Sequence, residues 1–314
     1  MAFPAGGLCC TGNIVLDILV RPVEALPEWG ATRWVDNIEQ HLGGNGAITA
    51  FTLGKLGAPV QLAGAVGDDA FGRYLLERLG SAGVDLEQVC VAPGSQTATT
   101  VGLINSRSDR LFLHVRGSSD LVVPEQVHFG PGLSYFHFAS LFQLPRMRQG
   151  ARRLLERARQ AGLFTSLDTM WDPTGRWLED LGPLCPLLDC LFVNQQEARM
   201  LAGSDQPAPV GRFFRDRGVG LVVLKMAEKG CAVSSASGDF TVPAFDVPAI
   251  DSTGAGDTFC GGFLAALRGG FPLHEATRFA TAVAAHCVQQ IGGADGVAGF
   301  EETRRWLAER GPGV

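Results

Sequence analysis

The strongest signal in this sequence lies in Asp251-Ser252-Thr253-Gly254-Ala255-Gly256-Asp257-Thr258-Phe259. Small residues here open an apolar helix, predicted over Ala255–Leu267, whose first backbone N–H groups have no partner and point at one spot. The helix dipole adds positive potential, so the Gly-Ala-Gly turn predicts a phosphate site. Asp257 at its edge can accept the proton of a hydroxyl that attacks the bound phosphorus. A plain N-cap is the alternative for Asp257 taken alone, but the nine-residue string is far more specific.

Short apolar strands alternate with amphipathic helices on the N-terminal side of this segment, and helices follow it. Such alternation is typical of a largely parallel sheet covered by helices. The predicted strands are Leu8–Cys10, Ile14–Val20, Val60–Val66, Tyr135–Ala139, Leu163–Asp168, Leu191–Asn194 and Leu221–Lys225. The other predicted helices are Gly46–Leu56, Ala70–Leu79, Arg146–Gln160, Gln195–Leu201, Leu273–Gln290 and Glu301–Arg310.

Two stretches, Arg33–Glu39 and Thr99–Val115, break this alternation because their residues repeat with period two. In the second, Ser106-Arg107-Ser108-Asp109 predicts a polar turn between two strands. We therefore predict a small antiparallel sheet, inserted into the main domain and able to act as a lid. A single domain would cover residues 1–314, with the lid formed by insertions at about 14–40 and 97–118.

Composition and charge limit the partners. Of 314 residues, 46% are hydrophobic and 18% charged, with a formal net charge of −6. The basic cluster at Arg146–Arg159 has helical spacing, so neither nucleic acid nor a membrane is an expected partner. None of the eight cysteines forms a Cys-x-x-Cys pair, which favours buried free thiols. Met1–Gly7 does not resemble a leader and no apolar run reaches the ~20 residues of a membrane span, so we expect a cytoplasmic protein.

Three further segments stand at informative positions. They are Gly43-Gly44-Asn45-Gly46-Ala47-Ile48-Thr49-Ala50 with Gly64-Ala65-Val66-Gly67-Asp68-Asp69-Ala70-Phe71-Gly72 beyond it, Asn194-Gln195-Gln196-Glu197, and Leu224-Lys225-Met226-Ala227-Glu228-Lys229-Gly230. Together with Asp251–Phe259 they resemble the signatures of the PfkB family of ribokinase-like carbohydrate kinases, in the family's order. The resemblance covers nearly the whole chain. It implies an α/β protein with a Rossmann-like three-layer α/β/α ribokinase fold, a small inserted β-sheet lid, and ATP and Mg²⁺ as cofactors.

The resemblance also implies catalytic roles. Asp257 would be the general base, and the anion hole would be Gly254, Ala255 and Gly256. Asp251 and Thr253, with the turn Gly292-Gly293-Ala294-Asp295-Gly296, match positions that bind a monovalent cation in many relatives, so K⁺ is an expected ion. The alternative for that turn is a helix C-terminal stop.

The nucleotide would lie near two other motifs. The implied ATP-binding residues are Asn194, Lys225, Ala227, Gly230 and Thr253, and Glu197 would hold Mg²⁺ through water. Lys225 ends an apolar strand and could equally be a solvated strand end. Glu197 alone would fit an exposed residue in the first turn of a helix. Ala227 departs from the family, which commonly has glycine there.

The acceptor would be a sugar or sugar acid. The implied substrate-binding residues are Asn13, Asp17, Gly43, Gly44 and Asn45. Asp17 lies inside an apolar run and needs a partner, either a sugar hydroxyl or a structural salt bridge. Most relatives carry asparagine where this chain has Ile48, which cannot bond a hydroxyl. Either Asn45 compensates, or the substrate has an apolar or absent group at that point, so this one residue can change the substrate.

Several polar residues have weaker assignments. The predicted lid contains Arg107, Arg110, His114 and Arg116, and the spacing singles out none of them. Lids of the family contribute substrate contacts and often a dimer interface, so a homodimer through the lid is expected. Arg176 is a candidate phosphate contact, and His137 is interpreted as a satisfied core histidine.

Two other functions stay open. A nucleoside kinase of the same family could pack Ile48 against a base or a deoxy position. A non-catalytic sugar-binding regulator could use the same fold, although both the base and the anion hole are retained here. A P-loop kinase is excluded because no Gly-x-x-x-x-Gly-Lys-Ser/Thr motif occurs.

Overall fold

Apolar runs of five to eight residues form most of a ten-stranded central sheet in the computed structural model, which describes residues 3–107 and 109–311. The strands are β1 Gly7–Thr11, β2 Val15–Arg21, β3 Asn37–Gly43, β4 Val60–Gly67, β5 Val84–Asp85, β6 Val89–Ala92, β7 Thr99–Ile104, β8 Arg110–Val115, β9 Leu133–Phe138, β10 Phe164–Asp168, β11 Cys190–Asn194, β12 Leu221–Lys225, β13 Cys231–Ser235 and β14 Gly238–Val242. The helices are α1 Asn45–Lys55, α2 Ala70–Ser81, α3 Pro145–Gln160, α4 Leu178–Leu181, α5 Gln195–Ala202, α6 Pro207–Arg215, α7 Ala255–Arg268, α8 Leu273–Val288 and α9 Phe300–Glu309.

The central sheet has the strand order β14-β13-β12-β11-β10-β9-β1-β4-β5, and β6 also pairs with β4. Strands β4 to β6 and β9 to β12 run parallel to β1, whereas β13 and β14 add an antiparallel hairpin at one edge. β1 lies between β4 and β9, so later strands are added first on the β4 side of β1 and then on its β9 side. The strand order therefore reverses at β1, which is the switch point of the sheet. Ligands of open α/β sheets bind beside such a point, at the carboxyl ends of the strands.

Alternate residues of the buried strands point into two apolar clusters, one on each face of the sheet. On β11, Cys190 and Phe192 belong to the cluster that contains α1, α7 and α8. Leu191 and Val193 belong to the other, with α3, α5 and α6. Both faces are therefore covered, which explains why the strands read as continuous apolar runs. The expected three-layer α/β/α fold is confirmed.

The small inserted sheet has the order β3-β2-β7-β8. Its outer pairs are antiparallel, but β2 and β7 run parallel, so the prediction of an antiparallel sheet was wrong at the centre. The physical reason lies in the connections. Hairpins join β2 to β3 and β7 to β8, and strands joined by a hairpin must be antiparallel. Between β2 and β7 the chain instead passes through the elements α1 to β6, so this pair is free to be parallel.

The predicted bounds of this sheet also need correction. The strand expected over Arg33–Glu39 begins at Asn37 and runs to Gly43, because its register pairs Asn37 with Arg21 and Gly43 with Val15. Between β7 and β8 the chain turns, with the Asn105 N–H donating to the Asp109 carbonyl at 3.1 Å. Ser108 of the predicted turn lies outside the described residues, as do residues 1–2 and 312–314 of the predicted domain.

The eight cysteines are free, and seven of them are buried as expected. Cys90 is exposed, which corrects the expectation for that thiol: it lies on β6, a short strand that pairs with β4 at the edge of the sheet. Over residues 3–107 and 109–311, no helix combines the length and apolarity needed to cross a membrane.

Candidate active site

The first turn of α7 leaves several backbone N–H groups available, although the Ala255 N–H donates to the Ser252 carbonyl oxygen at 3.3 Å. Gly254 precedes the helix with a left-handed φ of 74°, and within the described residues no side chain caps the helix. A Cβ added to Gly254 would lie 3.1 Å from Ile48 Cδ1 and 3.4 Å from Gly293 Cα. Glycine is therefore needed here both for its backbone conformation and for the close approach of Ile48. The turn can hold an anion, as the sequence predicts.

Asp257 lies in the first turn of α7 and is 8% exposed. Asn45 Nδ2, at the start of α1, donates to Asp257 Oδ1 at 2.7 Å. Burial and then the charge of Asp168 raise the pKa of Asp257 to about 7, against the opposing effects of Lys225 and Asn45. A carboxyl group with this pKa is partly ionised at neutral pH, which suits a proton acceptor.

A buried ion pair lies beside this turn. Lys225 Nζ, at the end of β12, contacts both carboxylate oxygens of Asp168, at the end of β10, at 2.8 and 2.6 Å. The ammonium group also lies 3.2 Å from the position that a Cβ on Gly256 would take. Burial alone would lower the pKa of Lys225, but Asp168 and neighbouring acids raise it. The interpretation of Lys225 as a solvated strand end was wrong.

Sequence reasoning missed Asp168 as a site residue. The available signal was its position, because Asp168 and Lys225 each end an apolar strand with a charge. Cys260 was missed too, and its Sγ donates to Asp168 Oδ2 at 3.4 Å. Without the strand order, which puts β10 and β12 on either side of β11, nothing in the spacing joins these residues.

Asn194 and Glu197 form a reciprocal cap at the start of α5. The Glu197 N–H donates to Asn194 Oδ1 at 2.9 Å, and the Asn194 N–H donates to Glu197 Oε2 at 3.0 Å. Thr169 Oγ1 donates to the same Oε2 at 2.6 Å. Glu197 is only 5% exposed, so its interpretation as an exposed first-turn residue was wrong. Burial raises the pKa of its carboxyl group, with Lys225 opposing this effect.

These residues fit Mg²⁺ only through water. No group of three or more His, Cys, Asp or Glu side chains in the described parts of the chain could hold a metal ion directly. The bonds at Glu197 Oε2 leave Oε1 for other partners. Since Mg²⁺ keeps most of its water shell in proteins, Glu197 could bind one of these waters while bound phosphates supply further oxygens.

Several residues predicted to bind the acceptor lie around the switch point of the sheet. Asn13 follows β1, and its Oδ1 accepts from the Asn45 N–H at 3.0 Å and from Ser140 Oγ, which follows β9, at 2.6 Å. A Cβ on Gly44, whose φ is 89°, would lie 2.5 Å from the Asn13 carbonyl oxygen. The Asn13 side chain thus holds the start of α1 and, through Asn45, the position of Asp257. Sequence reasoning did not identify Ser140.

Asp17 lies on β2 of the small sheet. A Cβ on Gly43 would lie 2.2 Å from Asp17 Oδ2, so the carboxylate fills the space that a side chain at residue 43 would take. Burial raises the pKa of Asp17 to about 6, although Thr100 and His41 lower it. His41, the neighbouring cation, pairs with Glu39 and Asp295 rather than with Asp17, so the geometry favours a carboxyl group without a dominant cationic partner.

Asp251 and Thr253 are joined to the small sheet by Arg110. Arg110 Nη2 contacts Asp251 Oδ1 at 2.9 Å, and Nη1 donates to Thr253 Oγ1 at 2.7 Å. Burial would raise the pKa of Asp251, but N–H donors from Thr253 and Gly292, together with the Arg110 charge, hold it below its usual value. The sequence singled out no arginine of the small sheet, whereas the structure singles out Arg110.

Other predicted residues lie apart from this network. Ala227 is exposed with a left-handed φ of 52°, and a Cβ on Gly230 would lie 2.1 Å from the Val242 carbonyl oxygen. Arg176 is half-exposed and pairs with Asp180 at 2.8 Å within its own segment. His137 is fully buried, and burial lowers its pKa to about 4, which confirms the core position. Its Nδ1 bonds Ser166 at 2.9 Å, but its buried Nε2 has no hydrogen-bond partner among the described residues, so the prediction of a satisfied side chain was wrong.

Comparison with known proteins gives consistent matches. Residues 8–298 match the model of the pfkB family carbohydrate kinases. The ATP-dependent ribose-1-phosphate kinase of Halopiger xanaduensis is 32% identical over 300 residues, which are 93% of this chain and 97% of that protein. The ribokinase of Haemophilus influenzae is 27% identical over 305 residues, with 96% and 98% covered.

Solved structures agree in fold. The Arabidopsis thaliana ribokinase complexed with ribose and ATP has a TM-score of 0.82 at 25% identity, over 98% of this chain and 99% of that one. An E. coli protein described as a ribokinase II, in complex with ATP and Mg²⁺, has a TM-score of 0.86 at 23% identity, over 97% and 99%. The family model covers most of the chain, and the first relative exceeds 30% identity over nearly all of it. The chain therefore belongs to the PfkB family of carbohydrate kinases.

Proposed function

We propose that this carbohydrate kinase transfers the γ-phosphoryl group of ATP to a hydroxyl of a sugar or sugar acid, with Asp257 as general base. The observation that carries the proposal is the position of Asp257 in the uncapped first turn of α7, with its pKa raised to about 7. A base with this pKa takes the proton of the attacking hydroxyl at neutral pH. The amides of Gly254, Ala255 and Gly256 stabilise the charge on the transferring group.

The chain's own residues prepare this step by fixing its geometry. Asn45 holds the Asp257 carboxylate through a bond of 2.7 Å, and Asn13 holds the backbone of Asn45. Lys225 adds positive charge beside Gly256, where negative charge gathers during transfer. Because these groups are fixed before the acceptor binds, little reorganisation is needed during reaction.

The nucleotide contacts are assigned from the family resemblance, and two of the residues, Ala227 and Gly230, lie apart from the network around Asp257. ATP, when bound, supplies the phosphoryl group, and we assign its contacts to Asn194, Lys225, Ala227, Gly230 and Thr253. Glu197 holds Mg²⁺ through water. The E. coli protein with ATP and Mg²⁺ supports a shared mode of nucleotide binding. One domain covers the chain in this proposal, and the small sheet, about 14–40 and 97–118, acts as the lid.

The acceptor contacts are assigned to Asn13, Asp17, Gly43, Gly44 and Asn45. Asp17 has a raised pKa and no dominant cationic partner, which supports a role in bonding a hydroxyl. Ile48 packs at the edge of the anion hole and offers no hydrogen bond. We therefore expect an acceptor with an apolar or absent group at that point.

A panel of acceptors tests the proposal. Purified protein with ATP and Mg²⁺ is assayed for ADP release with ribose, fructose, keto-sugar acids, ribose 1-phosphate and nucleosides, each against an acceptor-free control. Acceptor-dependent ADP release with a sugar or sugar acid is expected. Turnover of nucleosides alone would instead favour the nucleoside-kinase alternative. If no acceptor raises ADP release above the acceptor-free control, the non-catalytic regulator would be favoured.

We also propose that a second copy of the chain covers the lid. Strand β8 is the edge of the small sheet, and its apolar side chains Leu111, Phe112 and Leu113 are 47%, 54% and 61% exposed. An exposed apolar edge strand is a surface that native proteins usually cover. Sedimentation analysis should show a dimer for the wild type and a monomer for Leu113→Lys. Met200→Lys, at a similarly exposed position on α5, is the matched control and should stay dimeric; a monomeric wild type would contradict the proposal.

A further inference from the structure

Arg110 reaches from the lid to the residues that lead into the anion hole. It is the first residue of β8, and its guanidinium group contacts Asp251 Oδ1 at 2.9 Å and Thr253 Oγ1 at 2.7 Å. The Asp251 side chain is 5% exposed and that of Arg110 is 23% exposed, so the pair is largely removed from water. Thr253 directly precedes Gly254, where the turn of the anion hole begins.

The Asp251 carboxylate is fully engaged by this chain. Besides Arg110, Oδ1 accepts from the Thr253 N–H at 2.9 Å, and Oδ2 accepts from the Gly292 N–H at 3.2 Å. A monovalent cation bound by Asp251 would have to share these oxygens with three N–H donors. It would also lie beside a guanidinium group, whose like charge repels it in a partly buried site. These residues therefore do not fit the ion that the family resemblance implies.

The opposite side of the expected ion position is also held by side chains. Asp295, in the turn Gly292–Gly296, pairs with His41 Nδ1 of β3 at 3.0 Å and with Arg78 of α2. A Cβ on Gly292 would lie 1.9 Å from the His41 ring, so this lid residue packs directly on the turn. The lid thus contacts both Asp251 and the turn that faces it.

We propose that Arg110 is the built-in cation of this kinase: it neutralises Asp251 in place of a monovalent ion, and catalysis does not require K⁺. Arg110 is a positioning residue, since it acts through Asp251 and Thr253 on the backbone amides that follow. Arginine suits this role because its planar fork bonds the carboxylate and the hydroxyl together and keeps its charge at every working pH. The inference rests on the proposed function for its kinetic test, but not for its binding test.

The kinetic test compares salts at constant ionic strength. Wild-type turnover should differ by less than about twofold between tetramethylammonium chloride and KCl, each at about 0.1 M, because bulk screening is then equal. Arg110→Ala should lower kcat about tenfold or more in the K⁺-free buffer, the effect of about 1.4 kcal/mol in the transition state. K⁺ should restore part of that loss, a response that a merely structural role would not produce.

The binding test needs no activity. Thermal unfolding of the wild type should give the same Tm in both salts, whereas Arg110→Ala should gain stability when K⁺ replaces tetramethylammonium. Crystals soaked in Rb⁺ should show no anomalous peak beside Asp251 in the wild type and a peak there in Arg110→Ala. Arg110→Gln serves as a second variant if the alanine protein does not fold, and Arg116→Ala, which removes an arginine paired with Asp120, is the matched control with no K⁺ response.

Three results would overturn the inference. They are activation of the wild type by K⁺ of about tenfold or more, an Rb⁺ ion beside Asp251 in the wild type, and Arg110 variants that keep full kcat and show no response to K⁺. If the wild type phosphorylates no acceptor in either salt, the proposed function has failed. The Tm and Rb⁺ measurements would still decide the assignment of Arg110.

Discussion

The pKa of Asp257 connects its environment to the pH at which the enzyme works. Burial and Asp168 raise it to about 7, while Asn45 and Lys225 lower it. A general base must be ionised to accept a proton, so kcat/KM should fall as the pH drops below about 7. The pH profile of kcat/KM reports the free enzyme, which is the state described here.

The bond from Asn45 gives this prediction a specific test. Asn45→Ala removes the donor to Asp257 Oδ1, so the pKa of Asp257 should rise and the acidic limb of kcat/KM should move to higher pH. Thr49→Val is the matched control, because Thr49 Oγ1 bonds the backbone oxygen of the same residue at 3.3 Å. An acidic limb that moves equally in both variants would show that the shift does not come from the carboxylate bond.

Ala227 stands where the family commonly has glycine, and its backbone conformation leads to a prediction about stability. A left-handed φ, here 52°, costs an L-residue about 1–2 kcal/mol. This is more than the ~0.4–1 kcal/mol that a glycine costs through the added entropy of the unfolded chain. Ala227→Gly should therefore raise the free energy of unfolding in urea by up to about 1 kcal/mol. Ala151→Gly, in the middle of α3, is the control and should lower the free energy of unfolding. If both substitutions lower it, residue 227 is not strained.

At the residue scale, local sequence placed Asp257 and its glycine turn at the start of a helix, as observed, whereas Asn45 was singled out only by the family resemblance. Residues brought in by tertiary pairing could not be found in this way. Asp168 meets Lys225 only once the strand order is known, and Arg110 meets Asp251 across 141 positions of the chain (251 − 110). Gly43 and Gly230 were assigned to ligands, but the structure gives each an internal neighbour that a side chain would displace.

Two strand ends carry the charged residues of the buried ion pair in the site. The carboxyl ends of β10 and β12 supply Asp168 and Lys225, whose side chains are 4% and 16% exposed. Removing one partner of a buried pair leaves an uncompensated charge, and this typically costs about 3–5 kcal/mol. We therefore expect Asp168→Asn and Lys225→Met each to lower the free energy of unfolding strongly.

A double-mutant cycle measures this coupling. The double variant should lose less stability than the sum of the two single variants, because neither charge is then left alone. The comparison uses urea unfolding at pH 7. Purely additive losses would show that the contact seen between Lys225 and Asp168 contributes no coupling to folding.

At the element scale, long apolar and amphipathic runs gave strands and helices with bounds close to those observed. Elements with weak patterns were missed, among them the hairpin β13–β14 and the helix α6, which begins at Pro207. The direction of β7 relative to β2 was missed because no hairpin joins them. Periodicity predicts an element, but pairing over long chain separations decides its neighbours.

For the whole molecule, the ordered motifs predicted the family and the fold because they match the family's signatures along nearly the whole chain. The acceptor could not be predicted in the same way. Ile48 beside Gly254 cannot form a side-chain hydrogen bond, and an apolar side chain does not specify which group of an acceptor would face it. The contacts of the small sheet with Asp251 and Asp295 could not be predicted from the sequence either, since they come from strands far away in the chain.

The most direct test of the account is the kcat of Asp257→Asn with the best acceptor of the panel, measured by ADP release alongside the KM for ATP. Asparagine keeps the size of the side chain but cannot accept the proton, so kcat should fall about 10²-fold or more, the range of general acid–base catalysis. The KM for ATP should change little, because the proposed nucleotide contacts are made by backbone amides and by other side chains than that of Asp257. An unchanged kcat would contradict the assignment of Asp257 as the base.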